Sequence, residues 1–227
     1  MKRKRVFFSE AAYLLGLVTL ALGTAFMERA DFGMSMVVAP AYVLYRKLSQ
    51  VLPFVTFGMA EYLFQAALLL ILSLALRRWK AKYLLSFATA VLYGLVLDGC
   101  MALTALLPAE GFPLRAGYYS LGLPVCALGV SLLFHTYLPP EAYELTVKEV
   151  SERLGRDIHR VKTVYDCASC LLAVALSFLF FGFGRFEGVK WGTVLCALVN
   201  GWLIGRMARL LERRFTFAPY FKRERDL

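Results

Sequence analysis

Glu61 and Gln65 stand four residues apart inside an otherwise apolar run, so both project from one face of a helix. A charge buried in a run long enough to cross a bilayer costs roughly 2.5–3.5 kcal/mol on insertion scales, so it must face a cavity or a partner. Two readings of Glu61 stand side by side. It is a proton- or cation-binding carboxylate supported by Gln65, or a protonated, hydrogen-bonded acid that ties helices together. Asp166 is a second acid just inside an apolar run, and Lys162 lies one helical turn before it. Lys162 and Asp166 can form a structural ion pair, which competes with a ligand role for Asp166. Tyr62 and Tyr165 adjoin the two acids and offer hydroxyls able to orient a small substrate. Glu61, Gln65, Asp166, Tyr62 and Tyr165 are therefore the candidate substrate- or ion-binding residues.

Other reactive residues point to less. Cys167-Ala-Ser-Cys170 has metal-ligand spacing, but a closed zinc site needs about four ligands. The sequence holds no second CxxC and no suitable His pair. These cysteines read as small packing residues, and neither a metal nor a cofactor is expected. No GxSxG, HExxH, phosphate-binding loop or dinucleotide fingerprint occurs, so no enzyme activity is expected. His135 reads as a structural residue at the end of a span, with no acid near it in sequence. Glu28, Arg29 and Asp31 read as solvated interfacial charges, with an entry site as the alternative. Asp98-Gly99 matches Gly205-Arg206 only loosely, and Gly201-xxx-Gly205 has the spacing of close helix packing.

The elements that must position these residues are membrane helices. The chain of 227 residues is 59% hydrophobic and carries a mean hydropathy of +0.61. Six apolar runs approach or exceed the roughly 18–20 residues that a bilayer requires. They fall at about Phe7–Met27, Phe54–Leu76, Leu84–Leu107, Tyr118–Phe134, Val164–Phe183 and Trp191–Leu211, with the fourth expected to extend past His135. In lipid the backbone must satisfy its own hydrogen bonds, and these runs are too long and continuous for barrel strands. The net charge of +10 is explained by topology rather than nucleic acid. With the N-terminus inside, the cytoplasmic segments hold 20 of the 26 Lys and Arg. Both termini are then cytoplasmic, and membrane lipid is the expected partner of the basic residues. Lys2-Arg-Lys-Arg5 leads into an uncleaved first span, because no small-residue cleavage site follows. The five cysteines lie in or beside spans and resemble no disulfide framework.

The two halves repeat one another. Gly16-Leu-Val-Thr-Leu-Ala-Leu-Gly23 answers to Gly122-Leu-Pro-Val-Cys-Ala-Leu-Gly129, Pro40 to Pro140, and Glu61 to Asp166. Duplicating an odd number of spans inverts one half relative to the other. The expected fold is all-α and integral to the membrane, with six transmembrane helices as two inverted three-helix repeats. Each repeat carries an extra short helix between its first and second spans. One membrane domain covers residues 1–227, with repeat 1 at about 12–107, a Pro- and Gly-rich linker at 108–117, repeat 2 at about 118–211 and a cytoplasmic tail at 212–227. Met34–Tyr45 is too short to span and reads as a buried or re-entrant helix, with Ser35 as its cap. Glu141–Leu154 reads as amphipathic, lying on the cytoplasmic surface or tucking its apolar face into the bundle. Ala142, Leu145, Val150 and Leu154 form one side, and Glu144, Lys148, Glu149 and Glu152 the other.

Three groups of residues resemble a known family. Ala30-Asp-Phe-Gly-Met-Ser35, Ala39-Pro-Ala-Tyr-Val-Leu44 and Thr56-Phe-Gly58 look like the first half of the bacterial YczE/YyaS/YitT membrane proteins. Pro140-Glu-Ala142, Arg160-Val-Lys-Thr-Val-Tyr-Asp166 and Val189-Lys-Trp-Gly-Thr193 are similar to the second half. Met36 departs from the proline often found after the serine. The resemblance implies a six-span protein of the bacterial cell membrane and no particular activity. The repeat favours a small secondary transporter or permease for an unknown small molecule or ion, with proton or cation coupling. A substrate-binding subunit energised by a partner, and a non-transporting interaction or assembly factor, are the alternatives. A membrane protein partner or a second copy of the chain is compatible with each.

The expected topology is checked by cysteine accessibility in a background lacking the native cysteines. A cysteine at Glu110 should label from outside and one at Ser151 from inside. The reverse pattern rejects the orientation.

Overall fold

Two glycines seven residues apart lie on one face of a helix, and this chain has two such helices. α1 (Ser9–Ala30) carries Gly16 and Gly23, and α5 (Phe112–Phe134) carries Gly122 and Gly129. The helices cross antiparallel, with Gly16 against Gly129 and Gly23 against Gly122. A Cβ at Gly23 would lie 2.8 Å from the Gly122 carbonyl oxygen, and one at Gly129 would lie 2.5 Å from the Leu20 nitrogen. The missing side chains let the backbones meet, and this crossing is the most extensive helix contact in the structure. Leu17, Ala21 and Ala25 are buried beside it.

The other helices assemble on this pair in the computed structural model, which describes residues 5–156 and 158–219. α2 (Ala39–Leu48) is short, and α3 (Phe57–Leu76) and α4 (Ala81–Ala105) follow as a packed pair. The second half repeats the order with α5, the short α6 (Ala142–Leu154), α7 (Ile158–Phe181) and α8 (Trp191–Arg214). Six helices are long and apolar enough to cross a membrane: α1, α3, α4, α5, α7 and α8. α1 packs on α4, and α5 packs in the same way on α8. α2 lies against α3 and α7, and α6 lies against α3, α4 and α7. α3 and α4 are packed together, whereas α8 rests mainly on α5 and leaves most of its surface exposed.

Several boundaries differ from the sequence expectation. α5 does not run past His135. It gains its length at the other end, starting at Phe112 inside the segment read as a linker. Pro113 starts it well, because its missing N–H is not needed in the first turn. Gly111, at φ 85°, makes the left-handed turn before it. His135 ends the helix, and its Nε2 lies 3.3 Å from Glu212, an acidic neighbour that sequence adjacency did not reveal. α2 begins at Ala39 rather than Met34, because Pro40 belongs in its first turn. Ser35 contributes its carbonyl, not its side chain, to that turn. Among the described residues Gly201-xxx-Gly205 is not a packing seam, since nothing lies within 4 Å of a Cβ at Gly201.

The all-α expectation omits one feature. β1 (Arg5–Phe8) pairs in parallel with β2 (Phe215–Ala218), in the register Arg5 to Phe215 through Phe8 to Ala218. Phe7 packs between Phe215 and Phe217. The segment read as a cytoplasmic tail from residue 212 is thus helix to Arg214 and then strand up to Ala218. The pairing places the start of α1 and the end of α8 on one side, as an even number of spans requires. The basic residues at positions 1–4 and 220–227 lie outside the described residues.

The glycine crossing gives a direct test. Gly23→Ala and Gly129→Ala should each lower thermal stability in detergent by about 1–3 kcal/mol, because the added methyl meets backbone that cannot yield. Gly99→Ala should be neutral or slightly stabilising, since nothing lies within 4 Å of its Cβ. Equal unfolding temperatures in all three would deny the crossing its structural role.

Candidate functional site

The site starts from how α3 is anchored. Thr56 caps the helix, accepting a hydrogen bond from the Met59 amide at 3.1 Å. Asp98 of α4 accepts from the Thr56 hydroxyl at 2.6 Å and from the Gly58 amide at 2.7 Å. A carboxylate at a helix N-terminus meets the positive end of the helix dipole. Gly58 and Gly94 let the two backbones touch. Asp98 is thus a clamp for the first turn of α3, a role its place in sequence did not suggest. Glu61 and Gln65 follow within the next two turns.

Both are fully buried. The Gln65 amide nitrogen donates to Glu61 Oε1 and to Glu141 Oε2, each at 3.3 Å. Its carbonyl oxygen accepts the Ala142 amide at 3.0 Å. Tyr143 donates its hydroxyl to Glu61 Oε1 at 2.7 Å. One side chain therefore joins two buried carboxylates and the first turn of α6, using both of its N–H donors. Glu61 Oε2 and Glu141 Oε1 are buried with no hydrogen-bond partner among the described residues.

Glu141 reaches this place because the chain re-enters the bundle. After α5 ends, Pro139 and Pro140 return between the spans. Their carbonyls accept from Thr89 at 3.2 Å and Ser86 at 2.8 Å. These donors lie five and eight residues along α4 from Ala81, roughly 8–12 Å along its axis. Irregular backbone is tolerated at membrane depth only where protein satisfies its polar groups. Two prolines lighten that requirement, because neither has an N–H. Tyr13 of α1 donates to the Thr89 hydroxyl at 2.7 Å and closes the floor of the network.

α6 is correspondingly less exposed than its amphipathic pattern implies. Ala142 and Leu145 pack with Leu69, Leu72 and Tyr83, as the apolar stripe requires. Glu149, assigned to the polar side, is buried instead, and Leu154, assigned to the apolar side, is 62% exposed. Burial of Glu149 is compensated. Lys80 lies 2.6 Å away, Lys82 pairs with its other oxygen, and Tyr83 donates at 3.2 Å. Burial alone would raise the Glu149 carboxyl, but the two ammonium groups outweigh it and hold the group below its ordinary range. At Glu141 nothing outweighs burial. Desolvation and then the neighbouring Glu144 and Glu61 push its carboxyl well above the usual range, against smaller opposing effects of Gln65 and Lys162.

The remaining predicted residues divide. Lys162 sits 3.0 Å from Asp166, so that pair forms, and 3.9 Å from Glu144, which extends it toward the buried carboxylates. Tyr165 hydrogen-bonds Ser169, and its ring centre lies 6.0 Å from the Lys162 ammonium. Asp166 and Tyr165 thus flank the centre from α7. Tyr62 does not join them, because its ring lies against Gly94 of α4. Cys167 is exposed and Cys170 half-buried. Among the described residues no three His, Cys, Asp or Glu side chains are grouped to hold a metal ion. On the other side of the bundle, Asp31 pairs with Arg115 at 2.7 Å and Lys190 at 2.5 Å, and Tyr42 donates to Glu28 at 3.4 Å.

Sequence reasoning missed Glu141, Tyr143 and Glu144. They lie outside the apolar runs and look like the start of a surface helix. The available signal was the Pro139-Pro140 pair, which presents carbonyls but no N–H groups directly before that helix.

Residues 7–209 match a family of unknown function, DUF6198, and the chain belongs to that family. No curated protein and no solved structure matches it.

The environment of Glu141 predicts a pH dependence of stability. Its folded-state pKa lies above its ordinary value of 4.5, so between these two values the native state binds more protons than the unfolded chain. Its contribution is fully present below 4.5 and is lost as pH rises through the folded value. The unfolding temperature in detergent should fall across that window, and Glu141→Gln should flatten the decline. An unchanged slope in the variant would show that Glu141 is not the titrating group.

Proposed function

We propose that this DUF6198 protein is a small secondary transporter of the cell membrane in which Glu61 and Glu141, bridged by Gln65, carry an exchangeable proton or cation. One observation carries the reading: two buried carboxylates on different elements share one amide, and each keeps an unpartnered oxygen. A purely structural acid would be expected to satisfy its lone pairs, because an unpaired buried polar atom is costly. The free oxygens are where a proton or a cation can sit. Glu61 belongs to a spanning helix clamped by Asp98, and Glu141 to the re-entrant segment. Loss of the proton would leave two like charges on opposite sides of Gln65 and push α6 from α3. Gain of the proton would draw them together again. This supplies a coupling between protonation and the position of a movable element.

The arrangement of the halves supports the same reading. Their element orders agree. Exchanging Gly16 with Gly122 and Gly23 with Gly129 turns the contact of Gly16 with Gly129 into that of Gly122 with Gly23. An inverted repeat about the α1–α5 crossing has this property, and inverted repeats rock around a shared site in many carriers. A cytoplasmic location of both termini, kinship with the YczE/YyaS/YitT proteins and the absence of a catalytic reaction are parts of this proposal. The substrate is a small molecule or ion. Asp166 and Lys162 serve as a flanking structural pair, with Tyr165 beside them.

Reconstitution tests it. Wild-type protein in liposomes carrying an internal pH dye is screened with small solutes for solute-dependent proton movement. Glu61→Gln and Glu141→Gln should fold normally yet abolish that movement. Asp166→Asn should keep it and lose about 0–1 kcal/mol of stability, because its partner is partly exposed. Full coupled movement in the Glu61→Gln/Glu141→Gln double variant overturns the assignment.

A further inference from the structure

α8 carries a stripe on which apolar residues give way to basic ones. Leu198, Trp202, Arg206, Arg209 and Arg213 follow one another at steps of three and four, and so share one face. Leu198 is 77% exposed and Trp202 59% exposed, and all three arginines are exposed. Arg206, Arg209 and Arg213, with Leu210 between them, line a surface recess of about 240 Å³. Among the described residues none of the three forms an ion pair. Glu212, the one acid on α8, is turned to His135. The Arg206 guanidinium instead lies over the Trp202 ring, 5.5 Å from its centre. Three guanidinium groups around one recess repel each other unless an anion enters it, and their planar donors suit phosphate oxygens.

We propose that this recess binds the headgroup of an anionic phospholipid, with its phosphate among Arg206, Arg209 and Arg213 and an acyl chain along Trp202 and Leu198. A soluble phosphate would meet the same guanidinium groups. The continuous apolar stripe leading into the recess favours the lipid. Arg206 to Arg213 spans about 10 Å of helix, enough to cross the roughly 5–7.5 Å headgroup layer of one leaflet. The proposal does not depend on transport. It depends on α8 facing lipid, and it places the basic end in the leaflet on the side of the termini.

Native mass spectrometry of the full chain tests it, titrating phosphatidylglycerol, phosphatidylcholine of equal chain length and chain-free glycerol phosphate. Wild-type protein should retain phosphatidylglycerol in preference to the other two, and the absence of that preference overturns the proposal without any variant. At about fivefold per basic residue beside an anionic surface, Arg206→Gln/Arg209→Gln/Arg213→Gln should bind phosphatidylglycerol ~100-fold more weakly. Arg77→Gln/Arg78→Gln, at the turn between α3 and α4, should bind as wild type does. Equal loss in both variants means diffuse charge attraction and overturns the site. Glycerol phosphate binding as tightly as the lipid means a soluble-anion site and overturns the lipid assignment.

Discussion

The structure depends on the glycine-lined crossing of α1 and α5. Between membrane helices there is little hydrophobic drive, so close packing supplies much of the attraction. Four glycines let two backbones approach where any side chain would separate them. Everything else is arranged around that line. α4 packs on α1 and α8 packs on α5, while the short helices α2 and α6 fill the spaces beside α3 and α7. α5, one partner of the crossing, ends seven residues before Glu141 and so sets where the returning segment must start.

The second constraint is the need to satisfy backbone groups away from water. Pro139-Pro140 meets it by removing two donors and giving its two carbonyls to Thr89 and Ser86. That solution allows α6 to begin among the spans and brings Glu141 to Gln65. The contrast between Glu141 and Glu149, eight residues apart, shows how environment sets charge. Glu149 has two lysines and is held ionised. Glu141 shares one amide with a second acid, and burial raises its carboxyl well above the usual range. One end of α6 is pinned by a compensated charge, and the other meets a titratable bridge. This asymmetry suits an element that pivots rather than detaches.

The halves have equivalent element orders but unequal packing. α3 and α4 are clamped together through Asp98 and the Gly58–Gly94 contact, whereas α8 stands apart from α7 and exposes a long face. Gly201 and Gly205 lie open there, although their spacing alone suggests a packed seam. The arginines on the same helix explain why a parallel copy is a poor cover for that face, since like charges would oppose one another. Lipid is the cover proposed for that face.

The sequence alone determined the spans, because crossing a bilayer is a matter of local length and apolarity, and both are read residue by residue. It also determined that two extra short helices exist, and it paired Glu61 with Gln65 and Lys162 with Asp166, each a four-residue relation on one helix. Tertiary structure decided the rest. Gln65 and Glu141 are 76 residues apart, and Glu61 and Tyr143 are 82 apart. No local pattern shows that Glu149 turns inward, because its lysines come from another turn of the bundle. Nor does one show that Asp98 caps a different helix or that β1 pairs with β2. Tyr62 adjoins Glu61 in sequence, but neighbouring residues point to different faces of a helix, and the packing of α4 shows that its face meets Gly94. Polar groups in a membrane bundle are positioned by whichever partner can satisfy them, and that partner is chosen by the fold.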